Sequence, residues 1–168
     1  MVTAILASSR VVTGRLDLGD QRLSDALNNA LQSVLLLSDA TLGWPGNPAL
    51  QGPFVATLIP KHQVALIYEH DERSLSRAKR LYAYVEKQAA ELLLIVAGLR
   101  VQGRAYSTSE FDTVNLHRLI ATADDKFVLM TNATMALDIE GTKSIALGSA
   151  MVNLRHIQFA ARKPEEDS

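Results

Sequence analysis

Val12-Thr13-Gly14-Arg15 recurs as Val101-Gln102-Gly103-Arg104, each copy closing a run rich in β-branched and aliphatic residues. Around this pair other landmarks repeat in the same order. Ala40-Thr41 falls on Ala133-Thr134, the offset growing from 89 residues at Gly14/Gly103 to 93 at Ala40/Ala133. That growth places a four-residue insertion in the turn Tyr106 to Thr113. Leu23 and Leu27, an i, i+4 pair, fall on Leu116 and Ile120. Lys61-His62 falls on Arg155-His156 with an offset of 94. The order of landmarks predicts one small β-rich unit, duplicated in tandem.

In the first copy, Val2 to Leu18 has no Pro and no helical period. It reads as one long strand bent near Ser8-Ser9, or as two strands in sequence. After the turn signal Leu18-Gly19-Asp20, the stretch from Arg22 to Asn28 reads as a short helix. Asp20 is placed to cap it and Asn28-Asn29 to end it. Ser33 to Leu42 reads as a buried strand, Gly43 to Gly52 as a breaker-rich loop carrying Trp44, and Pro53 to Pro60 as a strand. Lys61-His62 is a tight turn and Val64 to Tyr68 a closing strand. The second copy re-enters as a strand from Leu92 through Arg104, with a helix over about Val114 to Ala121. A short Glu140-Gly141-Thr142 turn replaces the Trp44 loop.

Between the copies, Leu75, Ala78, Leu81, Tyr82, Val85 and Ala89 recur at steps of three and four. This predicts an amphipathic connecting helix over Asp71 to Glu91, with its basic residues on a solvated face. The expected units are therefore 1–70, the connector 71–91, the second repeat 92–162, and a disordered tail 163–168. The fold class is mainly β (α+β), as two small bent-sheet barrels with short helices. Their long first strand and tight turn before a short last strand are similar in form to Sm-like and SH3-like barrels. That analogy carries no function.

The 168 residues are 48% hydrophobic and 21% charged, a globular composition with enough apolar surface for a core. Two units this small are marginal alone and are expected to lean on each other. A net charge of −1 removes the electrostatic case for nucleic acid. Zero Cys excludes disulfides and thiolate metal sites and fits a reducing compartment. The first residues lack a signal-peptide pattern, and the longest apolar run, Leu92 to Gly98, is too short to span a bilayer. A cytoplasmic protein with no membrane partner is expected.

Gly14-Arg15, then Arg22-Leu23-Ser24-Asp25-Ala26-Leu27-Asn28, then Leu35-Leu36-Leu37-Ser38-Asp39-Ala40 resembles a family of uncharacterised bacterial domains. The resemblance covers most of residues 4 to 68. The second copy keeps Gly103-Arg104 and Leu154-Arg155-His156-Ile157. It has Asn115-Leu116-His117-Arg118-Leu119-Ile120-Ala121 in place of the helix motif. The family brings a module boundary and no activity.

Candidate site residues are few. Arg15 and Arg104 suit an anionic group, or pair with carboxylates such as Asp25 or Asp39. Within the helix, Arg22 and Asp25 suit a local ion pair. His62 and His156, read as equivalent turn positions, suit a facing imidazole pair or backbone hydrogen bonds. His70 and His117 stand at no useful spacing. Trp44 suits a partner contact, or a lid over one end of a barrel. No catalytic, metal or cofactor motif is present, and Ser24-Asp25 lacks a nucleophile elbow. The expected function is a non-enzymatic protein-binding or self-associating module, a homo-oligomer through exposed edge strands. The alternative is a small anionic-ligand binder with Arg15, Arg104, His62 and His156 between the repeats.

Overall fold

The computed structural model describes residues 1–45, 47–70, 88–107, 117, 126–137 and 141–163. Its first elements are β1 (Val2–Leu6), β2 (Val11–Leu16), α1 (Leu23–Asn28), β3 (Val34–Trp44) and β4 (Asn47–Pro60). A 3-10 turn (Lys61–Gln63) leads into β5 (Val64–Glu69). Then come β6 (Gln88–Val96), β7 (Leu99–Ser107), β8 (Phe127–Leu137) and β9 (Ile145–Asn153). A second 3-10 turn (Leu154–His156) precedes β10 (Ile157–Arg162).

All ten strands join one antiparallel sheet in the order β10-β6-β7-β8-β9-β5-β1-β2-β3-β4. The protein is mainly β, as its β-branched runs require. The sheet is open, with β10 and β4 as its edges, rather than closed into two barrels. Within each half the fifth strand returns beside the first: β5 pairs with β1, and β10 with β6. The halves meet where β5 pairs with β9, through Leu66↔Val152, Ile67↔Met151 and Tyr68↔Ala150.

The core forms two clusters that interleave at this seam. Leu92, Leu94, Val96, Val101 and Met130 of the second half take in Ile5, Val11 and Leu66 of the first. Val12, Leu35, Leu37 and Ile59 of the first half take in Phe127 and Met151 of the second. Alternation along β1 explains this, since Ala4 and Ile5 face opposite sides and serve different clusters.

Val2 to Leu16 is two strands in sequence, the second of the two readings open for it, with the turn between them holding Ser9 at φ +60. Several other expectations need correction. The run from Leu92 to Arg104 is also two strands, reversing at Ala97-Gly98, both at positive φ. Aliphatic residues on both sides of that reversal made it read as one strand. The buried strand from Ser33 has only one face in the core, since Leu35 is fully buried while Leu36 is 55% exposed.

The expected loop from Gly43 to Gly52 is a hairpin: Gly43 and Trp44 end β3, and Asn47 to Gly52 begin β4. An edge strand tolerates Pro48 and Pro53 because one side of its backbone needs no donor. The connector does not run to Glu91, because Gln88 to Glu91 already pair with β7; residues 71–87 lie outside the described residues. The second helix also lies outside them except for His117, as does the tail beyond Lys163. The cap residue of α1 is Arg22, and no side chain, Asp20's included, caps it.

A bulge interrupts the β2–β3 pairing at Gly14, between Thr13↔Thr41 and Arg15↔Ser38. Opposite it, Asp39 lies in the left-handed region, which Asp and Asn tolerate best among non-glycine residues. Between β7 and β8 the pairing breaks in the same way at Gly103, opposite Asn132 at φ +50.

Candidate functional site

Arg15 and Arg104 each follow a glycine that stands opposite the two-residue bulge of its partner strand, and both side chains are exposed. Arg15 Nε lies 3.8 Å from Asp39 Oδ2, and both side chains are largely exposed. Arg104 Nε donates to Glu91 Oε1 at 3.0 Å. That hydrogen bond, together with the charge of Glu91, raises the Arg104 guanidinium above its ordinary value. Five strand spacings separate β2 from β7, about 24 Å along the sheet. Each arginine stands beside its own carboxylate. Asp25 accepts from Ser24 Oγ at 3.3 Å and, among the described ion pairs, none joins it to Arg22.

The two turns do meet. His156 Nε2 donates to the His62 backbone carbonyl at 2.7 Å, joining the second half to the first. The contact runs from ring to backbone, with no imidazole pair. His62 is second in its 3-10 turn and His156 third, so the residue matching His62 is Arg155. Beside them, Asn153, fully buried, donates from Nδ2 to Val64 O at 3.0 Å. Asn28 forms a third bridge: its side chain donates to Phe127 O at 3.1 Å and accepts from Phe127 N at 2.9 Å.

Trp44 ends β3 at 42% exposure, with the Arg10 guanidinium carbon 3.5 Å from its ring centroid. Arg10 arrives from the β1–β2 turn, and such stacking holds an exposed indole against the protein. Trp44 stands with Leu50, Phe54, Val55 and Leu58 among the exposed large hydrophobics of β3 and β4. Fourteen residues of β4 include no charged side chain. Among the described residues β4 carries more exposed large hydrophobics than any other strand, and sequence reasoning saw only the Trp44 end of this edge.

A further cluster lay beyond reach of sequence reading. Thr3 Oγ1 is 2.6 Å from His70 Nε2 and 2.8 Å from Thr13 Oγ1, and the His70 ring packs on Tyr68 at 5.2 Å. An imidazole beside a hydroxyl is where nucleophilic catalysis can begin. Thr3 is only 2% exposed, however, leaving no room for a substrate at its oxygen. The cluster ties the end of β5 to β1. Among the described residues, no group of three His, Cys, Asp or Glu side chains is placed to hold a metal ion. No described helix is long and apolar enough to cross a membrane. No known protein family, curated protein or solved structure matches the chain.

Proposed function

We propose that the chain is a tandem duplication of one five-stranded unit and works as a non-enzymatic, self-associating module. The uncharged β4 edge carries this reading: Leu50, Phe54, Val55 and Leu58 remain exposed beside strand backbone that has no strand partner on its outer side among the described residues. Proteins ordinarily blunt such edges with charge, and a long apolar edge left open is a pairing template.

The duplication is supported by register. Val2↔Gly14 matches Leu92↔Gly103, Thr13↔Thr41 matches Gln102↔Thr134, and Ser38↔Ala56 matches Thr131↔Ser149. The last strands match as well, with Ile5↔Leu66 on Ile95↔Phe159. In this reading each half is a small open barrel of the Sm-like or SH3-like kind, and the uncharacterised bacterial domain resembled by residues 4 to 68 is its single-unit form.

Size-exclusion chromatography with light scattering tests the function. The expected result is a mass at a multiple of the 18.3 kDa chain, growing or holding with concentration. A strict monomer at high protein concentration overturns it.

A further inference from the structure

The seam inside the chain joins the fourth strand of one half, β9, to the fifth strand of the other, β5. The two open edges of the sheet are the complementary pair: β4 is the fourth strand of the first half and β10 the fifth strand of the second. We infer that β10 of one copy pairs with β4 of the next, repeating the internal seam between molecules. This specifies the self-association proposed above and rests on it.

Residue matching fixes the register. Leu66, Ile67 and Tyr68 of β5 correspond to Phe159, Ala160 and Ala161 of β10, through their partners on β1 and β6. Val152, Met151 and Ala150 of β9 correspond to Ile59, Leu58 and Thr57 of β4, through their partners on β8 and β3. The intermolecular pairs are therefore Phe159↔Ile59, Ala160↔Leu58 and Ala161↔Thr57. None of these positions is Pro, so every one has an N–H for the ladder.

Burial agrees with this assignment. At the internal seam Leu66 is fully buried and Met151 is 3% exposed. Their counterparts at the open edges, Phe159 and Leu58, keep apolar side chains at 52% and 70% exposure. A second copy seated in the seam's register covers both. One fastening is missing: where Asn153 donates to Val64 O at the internal seam, the counterpart of Asn153 is Pro60. The intermolecular seam is thus the weaker and reversible one. A contact between two different edges is heterologous, so it propagates head to tail into a ring or a filament.

Two exposed substitutions separate this geometry from its rivals. Leu58→Lys disables only the β4 edge and Phe159→Lys only the β10 edge, and neither side chain belongs to the core. Head-to-tail pairing predicts that each variant alone is monomeric by light scattering, and that an equimolar mixture forms a one-to-one dimer. The register is tested by cysteines, against a chain that has none of its own. Leu58→Cys mixed with a mass-tagged Ala160→Cys is oxidised, and the mixed disulfide is expected to dominate over either homodimer.

A Leu58→Cys homodimer, with Phe159→Lys still associating, would mean β4 pairs with itself; the inference then fails and self-association stands. Association of the wild type with neither crosslink nor loss in either Lys variant also overturns the edge assignment alone. A monomeric wild type overturns both readings.

Discussion

The two 3-10 turns stand at the same place in their halves, each leading into the fifth strand, and begin with opposite chemistry. Lys61 and Leu154 are buried to nearly the same degree, at 5% and 3% exposure. Lys61 carries its ammonium inward, where Nζ donates to Ala26 O at 2.8 Å, Leu27 O at 3.0 Å and Asn29 O at 2.8 Å. These carbonyls end α1, the negative pole of the helix, which has no basic residue of its own in its last turn. Leu154 fills the matching place with hydrocarbon alone. The same backbone turn thus begins with a buried cation in one half and a buried aliphatic side chain in the other. The cation is tolerated because three acceptors replace its water.

The strongest way to break this comparison is to place Met at both positions. Lys61→Met keeps the aliphatic stem and removes the ammonium, stranding three buried or half-buried carbonyls. The expected loss is about 2–3 kcal/mol, typical of hydrogen bonds to a charged group. Leu154→Met nearly conserves volume at a buried aliphatic position and should cost less than about 1.5 kcal/mol. Urea denaturation at unchanged slope measures both. Equal losses would mean that Lys61 acts through its stem and that the carbonyl contacts contribute little.

The bulge glycines test likeness where the turns test difference. A Cβ on Gly14 would lie 3.0 Å from Ala40 Cβ and 3.1 Å from Ser38 O; one on Gly103 would lie 2.9 Å from Thr131 O. Both meet backbone that cannot swing aside. Gly14→Ala and Gly103→Ala should each cost about 1–3 kcal/mol, the range for overpacking. Losses differing by more than about 1 kcal/mol would show that one bulge is looser than the other.

The same glycines explain how far the sequence could be read. A close approach needs glycine whatever surrounds it, so Gly14 and Gly103 were visible as landmarks, as was α1 from its Leu23/Leu27 pair. The reversal at Ala97-Gly98 was hidden because the residues on either side of it are alike. Whether β4 runs through Pro48 and Pro53 depends on its being an edge, which only the assembled sheet decides. The last offset was misread by one residue because the turns start with Lys61 and Leu154, which share no chemistry. Likewise, the Thr3–His70 contact joins β1 to the residue just past β5, far apart in sequence.

The smallest effects belong to the arginines after the bulges. Arg104 sits 3.0 Å from Glu91 and Arg15 3.8 Å from Asp39, all four side chains in solvent. Exposed pairs are screened by water and salt, and lose side-chain entropy when held in one geometry. Arg104→Ala should therefore shift the urea midpoint less than either glycine variant, and Arg15→Ala less still. About 1 M salt should erase both shifts. The raised Arg104 value means that, while Glu91 is ionised, its pairing favours the fold below the guanidinium's unfolded value and fades as pH rises through the folded one. The difference between the two variants should consequently stay flat across neutral pH. An Arg15→Ala loss exceeding that of Arg104→Ala would show that Arg15 packs its stem on the sheet, since the longer ion pair cannot account for it.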